Sequence, residues 1–180
     1  MAKTTAEFRC LLICPSDVRA ERDALSDVVV KWNAVIGEGL GARIQLSRWE
    51  THGVPDASAS PRQTLQFIDD LTLCDFGVAV FWTHLGTPQA DYFSGSIEQI
   101  RKRGARILVY FNTAALEPEM LLLHEMARKM REFKTKLLAD EVAWEYNGRE
   151  DNSIANLCEQ ATLHLTGVVT ELLTRQRAQP

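Results

Sequence analysis

The sequence lacks the short motifs that identify the common nucleotide- and metal-dependent enzymes. It contains no GxxxxGK[ST], no GxGxxG after a predicted strand, no GxSxG and no HExxH, so it offers no support for a P-loop ATPase, a Rossmann dinucleotide site, an α/β-hydrolase or a zincin. Its four cysteines, at positions 10, 14, 74 and 158, form no CxxC pair and have no Cys/His spacing typical of structural zinc. We therefore expect buried thiols, no metal and no bound cofactor.

The sequence also lacks a long hydrophobic run and an excess of basic residues. No apolar run approaches the roughly 18 residues that a membrane span requires, and the opening MAKTTAEF has no apolar signal-peptide region. The net charge is −4 and the isoelectric point is near 5.6, which disfavours nucleic acid as a partner. These absences predict a cytoplasmic protein that binds neither membranes nor nucleic acids.

What the sequence does contain is the composition of an ordinary globular domain. Its 180 residues are 46% hydrophobic and 24% charged, which predicts one domain over 1–180 that buries its own core. Apolar runs predict strands, and 3.6-residue periodicity predicts helices between them. The predicted strands are Phe8–Cys14, Ala42–Trp49, 75–82, Arg106–Phe111 and 141–146, and the predicted helices are 16–36, 62–73, about 96–103, one from Pro118, and about 151–175.

Strands that alternate with helices predict a parallel sheet covered by helices on both faces. The expected fold class is α/β, a three-layer flavodoxin-like or TIR-like domain with a central, mostly parallel sheet of four to five strands. Its core would cover about 8–146, followed by a C-terminal helix over about 151–175. Such folds bind ligands at the carboxyl ends of the strands, here the first and third.

The stretch Cys74–Ile100 carries the strongest chemical signal. A buried strand leads into LGTP and a polar loop, and Ser94-Gly95-Ser96 then marks a predicted helix start, with Glu98 in its first turn. A carboxylate beside an anomeric carbon can stabilise or attack an oxocarbenium-like transition state, and a helix N-terminus helps to keep it ionised. The alternative is that Ser96 and Gln99 form a capping box and that Glu98 only favours the helix dipole.

Two further candidates follow the first strand. Ser16 and Asp17 lie where that strand passes into its helix, and backbone N–H groups at such a point can bind a phosphate or a ribose hydroxyl. The negative charge of Asp17 would repel a phosphate and favour a hydroxyl. The alternative is that Ser16 or Asp17 is an ordinary N-cap.

The remaining candidates come after the second and third strands. Trp82 could stack on a base or a nicotinamide ring, or belong to the core, and Thr83 lies beside it. His84 could move a proton, and Gly86 could permit a close backbone approach. Glu50 begins the long loop 50–61 and could close over the crevice, although a solvated loop acid is the ordinary alternative.

Five segments resemble, in order, a TIR-like family of unknown function that is found at the front of STAND-type NTPases or as a stand-alone bacterial domain. They are ICPSDVRAERDAL, RWETHGVP, CDFGVAVFWTHLGTP, SGSIEQI and RILVYF, which together span most of residues 8–112. The family is similar to TIR domains and to nucleoside deoxyribosyltransferases.

This resemblance implies a nucleotide-binding domain that hydrolyses or transfers at a ribosyl C–N bond, with NAD or a related nucleotide as substrate and Glu98 as the ribose-side carboxylate. It also implies a role in bacterial defence or signalling, and self-association into a homo-oligomer. The related transferases place their acid four residues after the glycine, where this chain has Gln99. That departure keeps two alternatives open: a non-catalytic interaction module, and a sensor that binds a nucleotide without cleaving it.

Overall fold

The chain forms a five-stranded, all-parallel sheet in the order β2-β1-β3-β4-β5. The computed structural model describes residues 5–48, 69–83, 85, 92–115, 124–139 and 143–178. The strands are β1 (Ala6–Ile13), β2 (Ala42–Arg48), β3 (Phe76–Phe81), β4 (Arg106–Asn112) and β5 (Ala143–Tyr146). This strand order confirms the predicted α/β class and its flavodoxin-like arrangement.

Helices follow the strands and cover both faces. They are α1 (Arg19–Trp32), α2 (Tyr92–Lys102), α3 (His124–Ala139) and α4 (Ser153–Ala178), with a further helical segment over 69–73. A 3₁₀ turn at Ser16–Val18 precedes α1, and a π-helical turn at Asn33–Gly37 and a short turn at Glu38–Leu40 continue it. Gly41 ends this run with φ of 69°, a left-handed conformation that favours glycine.

Alternate side chains of β1 enter two separate hydrophobic cores, which is what a strand buried on both faces requires. Cys10 and Leu12 pack with α1 and α4, whereas Leu11 and Ile13 pack with α2, α3 and the 69–73 segment. All six residues of β3 are buried. The continuous apolar run of this central strand therefore reflects burial from both sides.

The outer edge of β2 is closed by the π-helical turn. Asn33 donates its Nδ2–H to the carbonyl of Ile44 at 2.9 Å and accepts the Ile44 N–H at 2.8 Å through Oδ1. The amide thus takes the place of a neighbouring strand at this position of an exposed edge. Gly37 permits the approach, because a Cβ there would lie 2.6 Å from the Ala42 carbonyl oxygen.

The amino-terminal side of the sheet is fixed by two charged residues. Asp75 accepts the Arg9 N–H at 2.7 Å, and its own N–H donates to the Arg9 carbonyl at 2.8 Å, so Asp75 caps the start of β3. Arg103 donates to the carbonyls of Leu71 and Cys74 at the end of the 69–73 helical segment. A cation at a helix C-terminus complements the helix dipole.

The start of α2 differs from the prediction. The helix begins at Tyr92, four residues before the expected start at Ser96, because Phe93, Ile97 and Ile100 recur on one face and are all buried. Ser94, Gly95 and Ser96 consequently lie inside the helix. The predictions of a capping box between Ser96 and Gln99 and of a first-turn position for Glu98 were both wrong.

Several predicted segments fall outside the described residues. They are the long loop 50–61, most of the helix 62–73, and the start of the helix expected from Pro118. Among the helices that the structure describes, none is long and apolar enough to cross a membrane.

Candidate functional site

The carboxyl ends of β1 and β3 are joined by a side-chain bridge. Thr83, just after β3, donates its backbone N–H and its hydroxyl to Asp17 Oδ2, at 2.8 and 2.6 Å respectively. Asp17 lies in the 3₁₀ turn after β1. Since β2 and β3 flank β1 on opposite sides, the bridge lies at the topological switch point, where α/β sheets bind their ligands. The structure thus brings two predicted site residues into direct contact.

The N-capping alternative for this segment is wrong. The N-cap positions of the 3₁₀ turn and of α1 are Pro15 and Val18, and neither supplies a side-chain cap. The Asp17 carboxylate instead reaches across to Thr83, while Ser16 is exposed. Asp17 therefore ties two strand exits together, and a ligand role for Ser16 or Asp17 stays a prediction.

A second carboxylate lies at the same edge of the sheet. Glu21, one helical turn after Asp17, is 7% exposed. Its Oε1 accepts the Tyr146 hydroxyl at 2.9 Å and Asn112 Nδ2–H at 3.3 Å. Asn112 ends β4 and Tyr146 ends β5, so Glu21 connects α1 to both exits. We call these five residues (Asp17, Glu21, Thr83, Asn112 and Tyr146) the carboxyl-edge cluster.

Asn112 is held in place through its other amide atom. Its Oδ1 accepts the N–H groups of Ala114 and Gly148, both at 2.9 Å, and a Cβ at Gly148 would lie 2.2 Å from the Asn112 side chain. The pKa of Tyr146 is raised well above its ordinary value, first by burial and then by the charge of Glu21 and the hydrogen bond to it. The Tyr146 hydroxyl therefore stays a proton donor to Glu21.

Sequence reasoning missed Glu21, Asn112 and Tyr146 as members of the site. Glu21 lies among charged residues at the start of α1, a pattern typical of a solvated helix surface. A usable signal was present, because Glu21, Leu25 and Val28 recur at helical spacing and all three are buried. An acid on the inner face of a helix, next to a sheet edge, requires polar partners there.

Glu98 is placed on the outer surface, in the second half of α2. Its side chain is 46% exposed and forms an ion pair with Lys136 of α3, with Oε1 and Nζ 2.7 Å apart. The hydrogen bond from Lys136 and its charge lower the Glu98 pKa. From the start of α2, Glu98 is about 9 Å along the axis, at 1.5 Å per residue, so the helix N-terminus contributes little to its ionisation.

The remaining predicted site residues that the structure describes lie at the exit of β3 and within α2. Trp82 is half-buried against the core and donates its Nε1–H to the Ala114 carbonyl at 3.0 Å. Ser96 is buried within α2, whereas Gly95 is exposed. Glu50, His84 and Gly86 lie outside the described residues. No group of three or more potential metal ligands occurs in the part of the chain that the structure describes.

An open cavity borders the carboxyl-edge cluster at Tyr146. Its volume is about 520 Å³, within the range of small-molecule sites. Its walls come from the exits of β4 and β5 and the first turns of α4, and they include Thr113, Glu145, Asn147 and Glu159. Carboxylate, amide and hydroxyl groups of this kind suit a ligand rich in hydrogen-bond donors.

Comparison with known proteins identifies no family. No protein-family model matches the sequence, and neither does any curated protein. Two structures of S. aureus homoserine dehydrogenase, at pH 8.5 and pH 7.0, each give a TM-score of 0.39 over 69% of this chain, with 13% and 14% identity. This chain spans only 30% and 31% of their length. So low a TM-score supports no conclusion about function.

Proposed function

We propose that this chain is a TIR-like nucleotide-binding domain that binds NAD or a related nucleotide at the carboxyl ends of β1 and β3. The observation that carries the proposal is the Asp17–Thr83 bridge across the switch point of the sheet. Parallel α/β sheets have their ligand crevice at this position. The resemblance of residues 8–112 to TIR-like proteins supplies the substrate class.

The charge of the cluster favours the sugar end of a nucleotide over its phosphates. Asp17 and Glu21 place two carboxylates one helical turn apart at the edge of the sheet, which repels phosphate and accepts hydrogen bonds from ribose hydroxyls. Trp82 and Thr83, at the exit of β3, would bound the same space.

A reaction at the ribosyl C–N bond with Glu98 as the carboxylate is the enzymatic form of the proposal. It requires the Glu98–Lys136 pair to open, because that pair holds the carboxylate on the surface of α2 and α3. The same pair favours a second candidate, in which the domain senses a nucleotide or mediates self-association without cleaving it. Either form is consistent with a role in defence or signalling.

One experiment separates these forms. Purified protein is incubated with NAD and, separately, with several nucleosides, products are separated by chromatography, and binding is measured by calorimetry, for the wild type and Glu98→Gln. Turnover that the substitution abolishes supports the glycosidase. Binding without product supports the sensor. If concentrated, assembled samples show neither binding nor product, the result supports the interaction module.

A further inference from the structure

We propose that Glu21 is the carboxylate of this site that binds the ribose, accepting a hydrogen bond from a ribose hydroxyl through Oε2. The inference rests on the proposed nucleotide-binding function and names which acid serves it. Glu21 belongs to the carboxyl-edge cluster, whereas the contact of Glu98 is with Lys136 on the far side of the sheet from α1.

The hydrogen bonds to Glu21 leave one oxygen available. Tyr146 and Asn112 both donate to Oε1, and no donor among the described residues reaches Oε2. An ionised carboxylate has about four lone-pair positions, so Oε2 can accept from a ligand while Oε1 keeps the side chain fixed. Two donors from two different strand exits hold the carboxylate in one orientation before a ligand arrives.

The charges around Glu21 select the kind of ligand. Asp17 lies one turn before it on α1, and the guanidinium of Arg22, next along the helix, pairs with Asp23 at 3.0 Å. Two carboxylates, Asp17 and Glu21, thus lie one helical turn apart at this edge of the sheet, which favours a neutral hydroxyl donor over a phosphate. The cavity beside Tyr146 provides room for a ligand at the same edge of the sheet.

The substitution Glu21→Gln separates a role in ligand binding from a purely structural role. Gln at this position keeps the shape of the side chain and an oxygen that accepts from Tyr146, so the tie between α1 and β5 survives. It loses the charge, and hydrogen bonds to charged groups are about twice as strong as neutral ones. We therefore expect Glu21→Gln to weaken NAD binding by about tenfold while the thermal midpoint falls by no more than about 4 °C.

The test measures NAD dissociation constants by calorimetry on the full chain for wild type, Glu21→Gln and the control Glu132→Gln. Glu132 is a matched glutamate on α3, 62% exposed and paired with Arg128. A second ligand is NAD without the two hydroxyls of its nicotinamide ribose. Removing the hydroxyls should weaken wild-type binding by about tenfold and Glu21→Gln binding by less than about threefold, because the two changes remove one interaction.

Each outcome decides a separate point. If the wild type binds no NAD, this inference fails together with the NAD form of the proposed function. If the wild type binds NAD and Glu21→Gln binds it equally well, the inference alone fails. It also fails alone if the losses of binding free energy from the variant and from the missing hydroxyls simply add. If Glu21→Gln unfolds, Tyr146→Phe decides, because it keeps the carboxylate but removes an anchor: a few-fold weaker binding supports the inference, and unchanged binding overturns it.

Discussion

The Asp17–Thr83 bridge gives the most quantitative prediction. Asp17→Ala removes the acceptor of two hydrogen bonds, from the Thr83 N–H and from its hydroxyl. Hydrogen bonds to a charged group contribute about 1.5–3 kcal/mol each, and the lower limit applies to this half-buried pair. We expect Asp17→Ala to lower the free energy of unfolding by about 3 kcal/mol, measured by urea denaturation at pH 7 with far-UV circular dichroism.

Three variants of the bridge provide the controls. Thr83→Val removes only the hydroxyl bond and should cost about 1.5 kcal/mol. Asp17→Asn keeps an acceptor of the same shape and should cost about 1 kcal/mol. The double variant Asp17→Ala with Thr83→Val should cost about 1.5 kcal/mol less than the sum of the single changes. A loss below about 0.5 kcal/mol for Asp17→Ala, or strict additivity, would refute the bridge.

Three further predictions concern other parts of the molecule. Gly95→Ala should raise the free energy of unfolding by about 0.5–1 kcal/mol, since Gly95 lies inside a helix with open space around it. Gly148→Ala should instead destabilise the protein, because its Cβ would meet the Asn112 side chain. Urea denaturation of the two variants tests both expectations. Burial raises the pKa values of Tyr110 and Tyr146. The free energy of unfolding should therefore keep its full value below pH 10, the ordinary pKa of tyrosine, and fall as the pH rises above it. In an absorbance titration at about 295 nm, both phenols should ionise only when the protein unfolds. Cys158, the half-exposed thiol, should react first with a thiol reagent in the native protein, and equal rates for all four thiols would contradict the burial of the other three.

The fold could be predicted because its signals are local and strong. The uninterrupted apolar run of β3 is typical of a strand buried on both faces, and Pro15 and the glycines near Gly41 mark the ends of β1 and of the α1 run. The boundary of α2 differs from the prediction because a polar residue, Ser96, faces the core. Ser94-Gly95-Ser96 has the composition of a helix start, yet the spacing of the buried side chains around it extends the helix to Tyr92.

The candidate site could be predicted only where it follows directly from strand order. Asp17 and Thr83 come just after β1 and β3, so a parallel sheet brings them together. Glu21 on α1 contacts two strand exits that lie far along the chain: Asn112 is 91 residues away and Tyr146 is 125 residues away. Helical spacing with Leu25 and Val28 indicates that Glu21 faces inward, but no local pattern encodes which strand exits it contacts.

The central claim is that a nucleotide binds at the carboxyl ends of β1 and β3. Titration of isotope-labelled protein with NAD, followed through backbone amide chemical shifts, tests it most directly. We predict saturable shifts that are largest at Thr83, at residues 16–22 and at 112–114. Shifts confined to the surface around Glu98 and Lys136, or no saturable shift at millimolar NAD, would contradict it.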